Sequence, residues 1–379
     1  MSARVFSLHR LFAVVGKELI QMRRDRLTFA MLVGIPLLQL LLFGYAINSD
    51  PKHLPTAVVV HEQNDFSRSI VAALQNSEYF AVVSTGSSAR EAARWLARGD
   101  VQFVLTVPAD FSRRLIRGER AQLLLEADAT DPAATGNAIA AIQQMSGTLL
   151  RHDLRGPLAA RIQGAAPYEI VIQRRYNPEA ITSYNIVPGL IGVILTMTMI
   201  MSTALGLTRE VERGTMENLL AMPVRPLEVM IGKIIPYIGV GLFSMVLILA
   251  AARWLFGVPF AGSVPLLIAI ILLFIAANLV VGITVSSVAR NQMQALQMTF
   301  FFFLPSMLLS GFMFPFRGMP QWAQWIGEVL PLTHFMRMAR GIMLKGSGLA
   351  EIWPELWPLL VFLLLMMALG LARFRRTLD

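Results

Sequence analysis

The residues best placed for chemistry form one short charged run, 209–226, between two long apolar stretches. The apolar residues of this run recur at helical spacing and would share one face of a helix, and the charged residues lie largely outside that face. Gly214 interrupts the first turn, and Thr215 is a suitable N-cap for a new helix. The negative charge of Glu217 near the start of that helix would interact favourably with the helix dipole. Pro223 then ends that helix. The pattern predicts a short, rigid helix that binds a partner.

Residue types that serve catalysis are not arranged for it. The sequence has no G-x-x-x-x-G-K-[ST] phosphate loop, no Rossmann glycine pattern, no G-x-S-x-G elbow and no H-E-x-x-H motif. It contains no cysteine, and its five histidines show no metal-ligand spacing. We therefore predict that the chain is not an enzyme and holds no metal or cofactor of its own.

The composition is that of an integral membrane protein. Of 379 residues, 55% are hydrophobic and 15% are charged, whereas a soluble domain has roughly 25% charged residues. The net charge of +9 lies in the flanks of the apolar stretches, because the block 48–183 has equal numbers of basic and acidic residues. This is the positive-inside pattern for short loops, which favours contact with a lipid bilayer and excludes nucleic acid as a partner.

Six apolar stretches are long enough to span a membrane, at about 20 residues each. A basic N-terminus and a basic tail (373–379) that are both cytoplasmic require an even number of spans, in the cytoplasmic (inner) membrane. The charged run 208–226 and the turn at Arg290 then lie inside, and the block 48–183 lies outside. The predicted spans are Leu27–Ile47, Tyr184–Leu207, Val229–Phe256, Val264–Val288, Gln294–Phe316 and Glu355–Ala372.

The block 48–183 alternates strand-like and helix-like segments, which predicts a mixed-sheet α/β domain. Strands are expected at Thr56–Val60, Tyr79–Ser84, Val101–Val107, Ala121–Ala127 and Tyr168–Gln173, with helices at Asp65–Asn76, Ala89–Arg98 and Ala133–Leu154. The fold class is thus a bundle of six transmembrane helices with an inserted α/β extracytoplasmic domain.

Two further segments are expected at the membrane surface. Residues 1–26 include a mixed apolar and charged stretch, Leu11–Arg26, typical of an interfacial helix on the inner leaflet. Residues 317–353 contain two short amphipathic helices separated by Pro331, with tryptophans that anchor at an interface. They predict an outer-leaflet helical hairpin, whose backbone is tolerated at membrane depth only where protein buries it.

No charged residue lies in the middle of any predicted span. Lys233 is near an inner end, and Arg253 is near an outer end. A carrier that is coupled to protons or sodium needs a charged group at depth to bind the coupling ion. The lack of such a group in the predicted spans disfavours secondary transport, and it predicts that the energy for transport comes from outside this chain.

Two parts of the sequence resemble the permease subunits of ABC-2 type exporters. The run 212–220, followed by Met222–Pro226 and Gly232–Lys233, has the family's pattern of acidic residue, Gly-Thr, acidic residue, two apolar positions, Pro-x-x-Pro turn and Gly-Lys. Leu330–Phe335, followed by Arg340–Gly341, resembles the family's outer hairpin. The order of spans also agrees, so the resemblance covers the whole chain.

The resemblance implies a permease that forms the pathway with a second copy or a paralogous permease. A separate ABC ATPase would bind ATP and Mg²⁺. The implied ATPase-coupling surface comprises Glu210, Glu212, Gly214, Thr215, Glu217, Asn218 and Leu219. The implied neighbouring sites are Lys17, Glu18, Arg23 and Arg24 of the interfacial helix, and Pro331, Thr333, His334 and Arg340 of the outer hairpin.

The large outer domain is similar to that of a drug-efflux subgroup that works beside a periplasmic adaptor. This implies export of amphipathic, drug-like or lipid-like compounds. Two alternatives remain open at this point. One is a membrane-anchored sensor or scaffold whose outer domain binds an adaptor or ligand, and the other, less favoured, is a secondary carrier. A bound ATPase and ATP-dependent transport distinguish the exporter from both.

Overall fold

The computed structural model describes residues 51–86, 88–147, 149–150, 153–154, 168–212 and 226–376. An α/β domain is followed by a bundle of helices. The strands are β1 (Leu54–Val60), β2 (Phe80–Gly86), β3 (Phe103–Val107), β4 (Ala121–Asp128) and β5 (Tyr168–Arg175). The helices among them are α1 (Asp65–Asn76), α2 (Ala89–Arg98), α3 (Phe111–Arg117) and α4 (Pro132–Met145).

The five strands form one mixed sheet in the order β2-β1-β3-β4-β5. Only the β3–β4 pair is antiparallel among these strands. Successive side chains point to opposite faces, so Val58 packs with α1, α3 and α4 while Val59 packs with α2. The prediction of a mixed-sheet α/β domain is confirmed.

Two helices of this domain differ from the sequence prediction, and the strands differ from it by one or two residues at their ends. Helix α3 was not predicted; it is short, and Phe111 and Leu115 bury its apolar side against the sheet. Helix α4 ends at Met145 rather than continuing to Leu154, because Ser146 bonds the carbonyl of Gln143 with both its backbone N–H and its hydroxyl.

The bundle contains long helices together with two short ones. They are α5 (Thr182–Glu212), α6 (Pro226–Trp254), α7 (Val264–Val288), α8 (Gln292–Leu309), α9 (Gln321–Val329), α10 (Pro331–Arg340) and α11 (Leu349–Arg376). A π-helical turn, Gly341–Lys345, follows α10. Within the described residues, four helical segments are long and apolar enough to cross a membrane: Thr182–Arg209, Tyr237–Trp254, Val264–Val288 and Leu349–Gly370.

Those four segments correspond to the second, third, fourth and sixth predicted spans. The first, Leu27–Ile47, lies outside the described residues, as do the interfacial helix before it and residues 377–379 of the tail. The fifth corresponds to α8, which has 18 residues and is not among the four. Helix α8 ends at Leu309 rather than Phe316, because the chain turns at Gly311 with a φ of +85°.

Helix α7 is the centre of the bundle and packs against α5, α6 and α11. It approaches α5 closely at Gly282, where an added Cβ would lie 2.9 Å from the carbonyl oxygen of Ile200. Near its middle, the ring of Phe274 stacks on Phe335 of α10, with ring centroids 4.2 Å apart. Helix α10 is therefore part of the core of the bundle.

Candidate functional site

The two ends of the bundle differ in what they contact. The domain end, as we call it, touches the α/β domain: the chain enters α5 from β5, and Lys345, in the turn after α10, bonds the carbonyl of Leu96 at 3.3 Å. The start of α7 lies at the same end, because the N–H of Ala261 bonds the carbonyl of Met343 at 2.9 Å. The opposite end carries the end of α5 and the turn between α7 and α8. The structure thus places the Arg209 region and the Arg290 turn together, at the end away from the domain.

At the opposite end, Glu212 joins α5 to α8. Its carboxylate accepts hydrogen bonds from the backbone N–H of Gln292 at 2.7 Å and from the side-chain Nε2 at 2.5 Å. These bonds lower the pKa of Glu212, since they stabilise the ionised form. The helix that contains the predicted span Tyr184–Leu207 continues beyond Leu207, since α5 runs through Arg209 to Glu212.

The other predicted coupling residues lie beyond this contact. The backbone of Glu210 belongs to the last turn of α5. Outside the described residues lie Gly214, Thr215, Glu217, Asn218 and Leu219, together with Lys17, Glu18, Arg23 and Arg24 of the predicted interfacial helix.

At the domain end, the hairpin of α9 and α10 is packed into protein. Pro331 is the first residue of α10, where its missing N–H would have no helical partner. The hydroxyl of Thr333 donates to the carbonyl of Gly327 at 2.6 Å, which closes the turn between the two helices. Gly327 is required here, because an added Cβ would lie 2.6 Å from the carbonyl oxygen of Leu309.

His334 is the centre of an ionic cluster that ties α9, α10 and α11 together. Its Nδ1 lies 2.6 Å from a carboxylate oxygen of Glu355, and its Nε2 lies 2.8 Å from the backbone carbonyl of Glu328. Glu355 and the carbonyl of Glu328 both offer acceptor oxygens, so each ring nitrogen of His334 faces a hydrogen-bond acceptor. Arg337 bonds the carboxylates of Glu328 and Glu355, at 2.6 and 3.1 Å. Burial lowers the pKa of Arg337, but its bonds to these two glutamates outweigh burial and raise it.

The same residues offer a possible set of metal ligands. One ligand atom each from Glu328, His334 and Glu355 lies within 4.8 Å of the others. However, Arg337 bonds both carboxylates, and both nitrogens of His334 already have partners. A cation would have to displace a guanidinium, so the donor set fits an internal ion-pair network better than a metal site.

The α/β domain is held on the hairpin by three cationic side chains. Lys345 bonds the carboxylate of Asp128 at 2.5 Å and the carbonyl of Leu96 at 3.3 Å. Arg340 lies 3.9 Å from the carboxylate of Asp131. Arg317 donates to a backbone carbonyl at the end of α2, that of Gly99, at 3.4 Å.

A short link joins β5 to α5 and is itself fixed. The amide of Asn177, 1% exposed, accepts from the N–H of Ile181 at 2.9 Å and donates to its carbonyl at 3.0 Å. Tyr176 and Ala180 adopt positive φ angles of +69° and +51°. Non-glycine residues rarely adopt this conformation. The link therefore has one defined shape rather than that of a free linker.

The structure brings Thr333, His334 and Arg340 of the predicted hairpin site to the domain end, and it adds residues that the sequence did not indicate. These are Glu328, Arg337 and Glu355 in the ionic cluster, and Lys345 and Asp128 at the domain contact. Among these residues, Glu355 alone could have been noticed in the sequence, because it is a carboxylate at the start of an apolar stretch, where charged side chains are rare.

Comparison with known sequences decides the family. The sequence profile described as ABC-2 family transporter protein matches residues 26–372. The chain belongs to the ABC-2 transporter family. Its mixed-sheet domain and apolar helices are thus parts of an ABC transporter permease, a membrane subunit of a transporter.

Three relatives of this ABC-2 permease match it over most of their length. The probable multidrug ABC transporter permease YbhR of Escherichia coli K12 is 30% identical over 368 residues, which are 97% of this chain and 99% of YbhR. The probable multidrug ABC transporter permease YbhS of the same strain is 30% identical over 92% of each chain. The inner membrane transport permease YhhJ is 28% identical over 86% of each chain.

Proposed function

We propose that this ABC-2 permease is the transmembrane subunit of an ATP-driven exporter and that a separate ATPase binds at the opposite end of the bundle. The continuity of α5 is the observation that carries this proposal. The helix runs for 31 residues from the fixed link after β5 to Glu212. At 1.5 Å per residue it is about 46 Å long, whereas the hydrocarbon core is about 30 Å thick. A partner that moves the segment after Glu212 would therefore move the whole helix.

The proposed mechanism is a population shift between two packings of the bundle. ATP binding would close the partner ATPase, which would hold the ATP and Mg²⁺. The helix predicted within 208–226 would follow that movement and carry α5 and the Glu212–Gln292 contact with it. The basic residues near this end favour a cytoplasmic location for both termini, in the inner membrane.

A second permease, either another copy or a paralogue, would complete the pathway. Helices α6 and α11 expose large apolar side chains, among them Phe243 at 71% and Leu365 at 64%, which lipid or a second permease would cover. The names of YbhR and YbhS, probable multidrug ABC transporter permeases, support a drug-like substrate, and the proposal extends to amphipathic and lipid-like compounds. A periplasmic adaptor would have the α/β domain as its contact surface.

The proposal is tested by purifying the tagged full chain from membranes of its own host and identifying bound proteins by mass spectrometry. We expect an ATP-binding subunit, and we expect Glu217→Lys and Glu212→Lys to reduce its recovery and to abolish ATP-dependent efflux. Glu119→Lys, an exposed change in the α/β domain, is the control and should change neither. Recovery of no ATPase, or equal recovery with all variants, would contradict the proposal and favour a sensor or scaffold.

A further inference from the structure

A cavity of about 290 Å³ lies between the α/β domain and the hairpin. Gly99, Asp128 and Thr130 line it from the domain, and Gly311, Arg317 and Arg340 line it from the bundle. Neither unit forms this cavity alone, so its shape depends on the contact between them.

Arg340 reaches this cavity with most of its hydrogen-bonding capacity unused. Its side chain is 13% exposed, and the nearest carboxylate oxygen, of Asp131, is 3.9 Å from Nη1, beyond hydrogen-bonding distance. Nη2 reaches the carbonyl of Gly311 only at 3.5 Å, and Nε has no partner within the described part of the chain. Burial lowers the pKa of Arg340, and Asp131 and Asp128 oppose that effect. Buried polar groups are normally bonded, so these guanidinium donors are available to a ligand.

The other cations around the cavity are either bonded by a carboxylate or exposed. Arg337 is bonded by two glutamates, and Lys345 is bonded by Asp128. Arg317 and Arg98 are exposed at the cavity mouth, and neither forms an ion pair within 4 Å among the residues that the structure describes. The cavity thus has two exposed guanidinium groups without an ion pair among the described residues, and one buried guanidinium group, of Arg340, whose nearest carboxylate oxygen, of Asp131, is 3.9 Å away.

Exposed tryptophans indicate the level of the cavity relative to a bilayer. Trp322 and Trp325 on α9 are 40% and 66% exposed, and Trp353 and Trp357 on α11 are 55% and 52% exposed. Tryptophan side chains of this kind lie at the headgroup level of a membrane. The same two helices line the cavity through Glu328 and Glu355, so the cavity lies at the level where phosphate groups of lipids occur.

We propose that this cavity binds an anionic phosphate group, with Arg340 as its buried anchor and Arg317 at its mouth, and that a phospholipid headgroup supplies it. Guanidinium groups suit this ligand, because their planar donors match phosphate oxygens in pairs. Lipid bound here would contact both the hairpin and the α/β domain.

The test uses the full chain, purified and delipidated in detergent and examined by native mass spectrometry. Phosphatidylglycerol should bind in preference to phosphatidylcholine. Arg340→Gln and Arg317→Gln should each weaken that binding about tenfold, the loss expected for a hydrogen bond to a charged group. Arg317 is exposed, so its variant keeps the test valid if Arg340→Gln fails to fold. The matched control is Arg94→Gln, an exposed change one turn before Arg98 on α2, which should bind as the wild type does.

A parallel titration with inorganic phosphate distinguishes the two sources of the ligand. Saturable phosphate binding that Arg340→Gln removes, without any preference for phosphatidylglycerol, would support the anion site and assign it to free phosphate. If neither probe binds, or if the Arg340 and Arg317 variants bind as the wild type does, the proposal is wrong. An equal loss with Arg94→Gln would also overturn it, because general surface charge would then explain the binding.

Discussion

Breaking the ion pair between Lys345 and Asp128 should loosen the α/β domain from the bundle. Both side chains are 9% exposed and their charged atoms are 2.5 Å apart. In Lys345→Met, the bonds left to the Asp128 carboxylate within the described residues are those from the N–H and hydroxyl of Thr130, at 3.1 and 2.8 Å. An unpaired buried charge of this kind costs about 3–5 kcal/mol. Opening of the contact should therefore rise roughly a hundredfold to a few thousandfold.

The exposed pair Lys52–Glu78 provides the matched control. Its bond length is 2.6 Å, close to that of the buried pair, but its side chains are 46% and 64% exposed. Such pairs contribute about 0–1 kcal/mol. Lys52→Met should therefore change the α/β domain little, although it removes the same kind of charge.

Hydrogen–deuterium exchange of the full chain, measured by mass spectrometry, tests this prediction. We expect faster exchange at residues 96–102 and 128–134 in Lys345→Met than in the wild type or in Lys52→Met. Adding Asp128→Asn should restore part of the protection, because the unpaired carboxylate is then gone. Equal exchange in Lys345→Met and Lys52→Met would refute the reasoning from burial.

Three further predictions concern the bundle. Gly282→Leu should lower stability by about 1–3 kcal/mol or more, because its Cβ would push against the backbone of Ile200; thermal unfolding in detergent measures this. Asn278→Leu should change the unfolding temperature little, since its Oδ1 has no partner within the described residues and only Nδ2 is bonded. The pKa of Glu212 is lowered, so its bonds to Gln292 are present above the ordinary glutamate pKa of 4.5 and are lost as acidification protonates it; exchange protection at residues 288–294 should fall in acid.

Each of these predictions has its own control. Gly239→Leu adds the same side chain where no atom lies within 4 Å, and an equal effect there would remove the steric explanation. Asn278→Asp should be strongly destabilising, and tolerance of it would show that this position is hydrated. Glu212→Ala, which removes both bonds to Gln292, should give low protection at neutral pH already; protection like that of the wild type would show that the Glu212 contact does not hold the turn.

Local signals in the sequence were enough for several helices. Helices α1 and α2 have their predicted bounds, because the side chains of Asn64 and Ser88 cap their first turns. Helix α7 also has its predicted bounds, because it coincides with a long apolar run whose two ends are clear in the sequence. The end of α8 was misplaced, because apolar residues continue beyond the turn at Gly311. Hydropathy alone does not mark such a turn.

The site was less accessible to sequence reasoning than the fold. Thr333, His334 and Arg340 followed from the family resemblance, but their partners did not. Lys345 and Asp128 are 217 residues apart in the chain, and a pair of this kind has no spacing that a pattern could detect. The same holds for the cluster around His334, whose members come from three helices separated by turns.

The two hydrogen bonds between the Asn177 side chain and the Ile181 backbone have a mechanical consequence. Because these bonds fix β5 to the start of α5, a rotation of α5 would rotate the sheet with it. Strand β2 is four strands away from β5. With about 4.8 Å between neighbouring strands, a rotation of α5 by about 10° would displace β2 by roughly 3 Å. Small rotations of one helix would thus be amplified at the far edge of the α/β domain.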